Sequence, residues 1–185
     1  MKKLMIAAAI VCAAVVSQAA SANWQVSDMY DWDDINSGDP QYFGANNYAT
    51  YFVVATSDFG VDEMKEALAN GDYSWMTTQK VATPTAPMAE GAASGTTPEW
   101  FGSAETVNAF AVVFNNADYE KADHAYVTPL ASDATGGQGQ AAIIGLVGED
   151  SYDTSLWTAT AVPEPTSGLL LLLGVAGLAL RRRRA

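Results

Sequence analysis

Two interior stretches carry the densest apolar signal, residues 47–55 (NYATYFVVA) and residues 106–115 (TVNAFAVVFN). Both are rich in β-branched and aromatic side chains, the composition of strands. Apolar side chains fall at odd and even positions alike, so each strand is expected in a sheet covered on both faces. Residues 124–128 (HAYVT), 141–147 (AAIIGLV) and 154–160 (TSLWTAT) predict further strands, and residues 73–81 a weaker one. Turn-forming residues separate them, at Asn115-Asn116, Gly136-Gly137-Gln138-Gly139 and Gly148-Glu149-Asp150.

One segment switches to helical spacing. Residues 61–70 (VDEMKEALAN) place Val61, Met64 and Leu68 on one face. Ser57 or Asp58 is positioned to cap the start, Asp62 and Glu63 suit the positive end of the helix dipole, and Gly71 follows the end. Residues 82–98 (ATPTAPMAEGAASGTTP) are small, Pro-rich and Thr-rich and read as a long surface loop. The pattern predicts one mainly β domain, a two-layer antiparallel β-sandwich with one helix near residues 61–70.

The chain ends carry a different pattern. Lys2 and Lys3 precede an apolar run over residues 4–16, followed by the small residues Ser17-Gln18-Ala19-Ala20-Ser21-Ala22. That is the layout of a secretory signal peptide over residues 1–22, with Ala20 and Ala22 fitting the A-x-A site cut by signal peptidase. As helix, the run reaches only about 20 Å, short of a bilayer core of about 30 Å. Cys12 is the sole cysteine and departs with the signal. The body, residues 23–161, is then expected to fold without thiols or disulfides.

At the other end Pro163, Glu164 and Pro165 precede a leucine-rich run over residues 168–180 and four basic residues, Arg181, Arg182, Arg183 and Arg184. With Thr166 and Ser167 the run gives about 22 Å of helix, which snorkelling arginines extend toward a full span. Basic flanks stay cytoplasmic, so the body is expected outside the inner membrane and the arginines inside. The two prolines forbid helix just outside the membrane and hold an extended peptide there.

This tail, VPEPTSGLLLLLGVAGLALRRRRA, resembles the PEP-CTERM sorting signal of Gram-negative exported proteins. The resemblance implies transient anchoring by residues 162–185, cleavage near Pro163–Pro165 by the membrane enzyme exosortase, and release to the envelope or extracellular matrix. Exopolysaccharide is a partner it suggests. The body is also similar to short proteins carrying the same tail, through TVNAFAVVFN and HAYVT, with no activity attached to the likeness.

Charge narrows the partners. The body holds three lysines against 20 acidic residues, a net of −17. Nucleic acid requires a basic footprint, and anionic lipid heads likewise attract basic segments, so neither is an expected partner. Five Trp, eight Tyr and six Phe, all in the body, argue for a packed fold over a disordered spacer.

Candidate chemistry is sparse. Asp31, Asp33, Asp34 and Asp39, with Asp28 nearby, form the best calcium candidate, because calcium takes six to eight oxygens from a tight loop. Ile35 breaks the ligand register of a calcium loop, which leaves a solvated acidic turn as the plainer reading. His124 is the only histidine, and no G-x-S-x-G supplies a nucleophile. The expectation is a non-enzyme: an envelope or matrix protein, or a carbohydrate-binding module stacking sugars on Trp24, Trp32, Trp75, Trp100 or Trp157. A hydrolase with paired carboxylates in a cleft is the remaining alternative. Two coplanar exposed aromatics on one face favour sugar binding.

Overall fold

A computed structural model describes residues 21–43, 48–87, 91–101, 105–134 and 143–161. In chain order it contains β1 (Asn23–Ser27), α1 (Trp32–Ser37), β2 (Ala49–Val54), α2 (Val61–Ala69) and α3 (Trp75–Thr78). There follow β3 (Val81–Ala82), β4 (Ala86–Pro87), β5 (Ala93–Thr96), β6 (Thr106–Phe114), β7 (His124–Val127), β8 (Ala131–Ala134), β9 (Ile143–Val147) and β10 (Trp157–Ala159).

The longest strand organises the rest. β6 lies in a six-stranded sheet of order β10-β7-β6-β2-β3, with β8 paired to its first half from Thr106↔Ala134 to Ala109↔Ala131. Every pair in this sheet is antiparallel. The unbroken apolar run 109–114 is buried throughout, as its lack of alternation predicts for a strand covered on both faces.

One cover is a second sheet of order β4-β5-β1-β9. Trp24, Val26, Ile144 and Leu146 from that sheet meet Phe52, Ala109, Ala111, Val113, Tyr126 and Trp157 from the large one. The Trp24 and Phe52 rings stack across the gap with centroids 5.5 Å apart and planes at 20°. The other cover is helical. Met64 and Leu68 of α2 and Trp75 of α3 pack on Val53, Phe110, Val112 and Phe114. The large sheet is therefore the middle of three layers.

α2 matches its sequence signal, with Met64 and Leu68 buried and Asp62 and Glu63 in the first turn. Its start differs from expectation. Gly60, not Ser57 or Asp58, precedes the helix, and the Glu63 carboxylate reaches back to accept from the Gly60 N–H at 2.9 Å, one half of a capping box. Gly71 follows at φ 66°, the left-handed conformation expected there.

The end of the body is fastened down. Thr160 is buried, its N–H donating to the Asp123 carbonyl at 2.8 Å and its hydroxyl to the Ala122 carbonyl at 2.5 Å. The Ala161 N–H donates to the carbonyl of Leu68 in α2 at 3.2 Å.

The all-antiparallel, one-helix expectation needs four corrections. β1 and β9 run parallel, in register from Asn23↔Ile143 to Ser27↔Val147, and the long connection that parallel pairing needs holds all the strands of the large sheet except β10. Residues 82–98 are not all loop: β4 and β5 lie there and extend the small sheet. Residues 75–78, inside the weak strand candidate, form α3, whose Trp75 fills the helical layer. Residues 32–37, read as an acidic turn, form α1. Residues 1–20 and 162–185, and with them most of the signal peptide and the anchor, lie outside the described residues. Among the described residues no helix is long and apolar enough to cross a membrane.

Candidate functional site

The acidic segment is organised around α1. Asp31 precedes the helix, and its Oδ1 accepts from the backbone N–H groups of Asp33 at 2.9 Å and Asp34 at 3.4 Å. This is N-capping, which satisfies donors that the first turn leaves unpaired. Gly38, at φ 85°, closes the other end. Asp39 accepts from the Gln41 side-chain amide at 3.3 Å. Burial, then the charges of Asp31, Asp39 and Asp33, raise the Asp34 carboxyl above its ordinary range. Asp31, Asp33, Asp34 and Asp39 are thus laid out along a capped helix. Among the described residues no three His, Asp or Glu side chains gather as a metal-binding group.

α1 has no buried residue and is held by one ring. Trp32 stacks on the His124 imidazole at 4.0 Å and 20°, and tilts against Trp157 at 5.1 Å and 53°. Its backbone N–H donates to the Tyr48 hydroxyl at 2.9 Å. Burial, then a hydrogen bond to Asp31, push the Tyr48 phenol well above its ordinary value. His124 Nδ1 lies 2.9 Å from Asp123 Oδ1, which also accepts from Asn115 Nδ2 at 2.6 Å. That pairing with His124 holds the Asp123 carboxyl below its usual range. Among the described residues no hydroxyl is hydrogen-bonded to the imidazole, and Trp32 covers its face.

The tryptophans named for sugar stacking are mostly interior. Trp24, Trp75 and Trp157 are buried, and Trp32 and Trp100 are half-buried. The exposed rings are tyrosines, which the sequence reading passed over. Tyr42 is 46% exposed and Tyr152 56%. Both flank Tyr30, at 4.7 Å and 33° for Tyr42 and at 6.2 Å and 83° for Tyr152. Buried Ser151 sets this corner. Its hydroxyl accepts from the Tyr30 N–H at 2.9 Å, and its carbonyl from Trp157 Nε1 at 2.7 Å. The rings are mutually inclined and form no flat platform.

A shallow groove of about 250 Å³ lies on the outer face of the small sheet, lined by Asn23, Gln25, Thr85, Ser94, Thr96 and Ile143 among others. Strand alternation sends Trp24 and Val26 inward and leaves Asn23 and Gln25 facing out. Thr96 Oγ1 donates to Asn23 Oδ1 at 2.8 Å. Beneath the groove Gly95 leaves room for the Trp24 ring, since a Cβ there would sit 2.7 Å from that ring. Ile143, 61% exposed, forms one wall. No lining residue is charged, on a body whose net charge is −17.

The body is a three-layer β-sandwich with helices on one outer face, and its last described residue opens directly into the sorting tail. Residues 161–184 match the family described as the PEP-CTERM protein-sorting motif, and the chain carries that sorting domain. The motif marks an exported protein that is anchored transiently in the membrane and sorted through exosortase, a membrane processing enzyme. No curated protein and no solved structure matches the chain.

Proposed function

We propose that this chain is a non-enzymatic envelope or extracellular-matrix protein, exported by a cleaved signal peptide and released from its carboxyl anchor. The observation that carries the reading is the sorting motif at residues 161–184, supported by the chain's four arginines, all placed just beyond the apolar run. The Pro163-Glu164-Pro165 element is the one cut outside the membrane, and Arg181 to Arg184 hold the anchor's orientation. Replacing Pro163, Glu164 and Pro165 with alanines leaves the body in the membrane fraction. Release at the wild-type level overturns the reading. Neutralising the four arginines disturbs membrane retention, and unchanged fractionation counts against their anchoring role.

The second reading is binding of an exopolysaccharide along the small sheet. The neutral groove favours it, because amide and hydroxyl side chains match sugar hydroxyls while the acidic surroundings disfavour polyanions. Screening the released protein on a glycan array, with and without calcium, tests this. Binding that is lost in Gln25→Ala supports the groove, and an array without signal removes this reading and leaves the first.

A further inference from the structure

The folded body begins earlier than its first strand. Ser21 is exposed, Ala22 fully buried, Asn23 half-buried and Trp24 buried, so the in-and-out alternation of β1 already runs through Ala22. Ala22 belongs to the core between the sheets. Its N–H donates to Thr97 Oγ1 at 2.9 Å, and its carbonyl accepts from the Thr97 N–H at 2.9 Å. Thr97 is itself buried, at 3% exposure. Both of these Thr97 groups are therefore satisfied by one residue, the residue after which the A-x-A pattern places the signal-peptide cut.

Cleavage of the Ala22–Asn23 bond would leave the Thr97 hydroxyl and N–H in the interior without these partners. A buried polar group left unpaired is destabilising in its own right. Small residues stand at the first and third positions before a bond in two other registers, Ser17-Gln18-Ala19 and Ala19-Ala20-Ser21. A cut after Ser21 keeps Ala22 but turns its amide nitrogen into an ammonium at a fully buried position, where charge is costly. A cut after Ala19 keeps the Ala22 amide intact and places the new amino group two residues ahead of it. A cut after Ala20 would require Gln18 at the third position, where the site takes a small residue.

We infer that signal peptidase hydrolyses the Ala19–Ala20 bond, so that the mature chain begins at Ala20 and retains Ala22 as a core residue. Water adds across the amide, leaving a carboxylate on Ala19 and an ammonium on Ala20. The inference rests on the export reading above, and the two fail differently.

The test is amino-terminal sequencing and intact mass of the exported full chain. Ala20 is the expected first residue. A chain beginning at Asn23 or Ala22 overturns the inference and leaves export standing, whereas an unprocessed chain beginning at Met1 in the cytosol overturns both. Two substitutions outside the described fold sharpen the result. Ala19→Leu puts a bulky side chain beside the proposed bond and removes the Ala20 start. Ala20→Leu spoils the Ala20-Ser21-Ala22 register and leaves the first residue at position 20. An unaltered start in Ala19→Leu, or a displaced one in Ala20→Leu, sinks the assignment.

Discussion

The two sheets share one core and have opposite freedoms. β6 in the large sheet is buried on both faces, between the small sheet on one side and α2 and α3 on the other. β1 and β9 in the small sheet bury alternate residues and leave Asn23, Gln25, Ile143 and Val147 outward. The run 109–114 at the centre of the large sheet is scaffold, and substitution on either of its faces disturbs packing. The small sheet has one face that stability does not constrain, and recognition has room to reside there.

Five measurements press on that contrast, by chemical denaturation unless stated. Phe52→Ala removes the ring stacked on Trp24 between the sheets and is expected to cost about 3–5 kcal/mol. A loss under about 1 kcal/mol would mean the sheets do not share a core. Gly95→Val forces a side chain into the Trp24 ring and the Thr83 carbonyl, 2.7 and 2.9 Å from the first added carbon. Its expected cost is about 1–3 kcal/mol, and a neutral result breaks the argument that Trp24 packs directly on Gly95.

Asp31→Ala strips the cap from α1 and is expected to cost about 1 kcal/mol, with the near-ultraviolet signal of Trp32 as a second reading. The Asp123 carboxyl is depressed chiefly by His124. Its contribution is therefore present above the ordinary carboxylate range near pH 4 and lost as pH falls through the depressed value. Asp123→Asn should flatten the acid limb of the stability profile, and an unchanged slope refutes the coupling. Ile143→Ser, on the free face, is expected to shift stability by no more than about 0.5 kcal/mol. A loss of several times that would show that the face is not free.

Legibility in the sequence follows the same division. β2, β6, β7, β9 and α2 were readable because each carries a run of apolar residues whose period or density reports its own burial. The small sheet was half hidden. β5 reads ASGT, and its smallness reflects the space that the Trp24 ring occupies at Gly95, a contact between segments some 70 residues apart. β1 holds two inward residues, too few to display a period. α1 has no buried residue to announce it, and it stands because Trp32 finds His124 and Trp157 from distant strands. Aromatic content indicated a packed domain, yet identity misled on location: three of the five tryptophans went inside, and the surface rings are Tyr42 and Tyr152. Tyrosine, with an apolar ring and a polar tip, is the aromatic suited to that boundary.

The clasp of Ala161 onto α2 fixes how the domain rides while it is still attached. Five residues separate it from Ser167, a reach of at most about 22 Å even when drawn out straight. A domain held by that tail is therefore tethered close to its anchor, with no long stalk between them. The tether leaves the domain at Ala161, which lies against Gly71 at the end of α2.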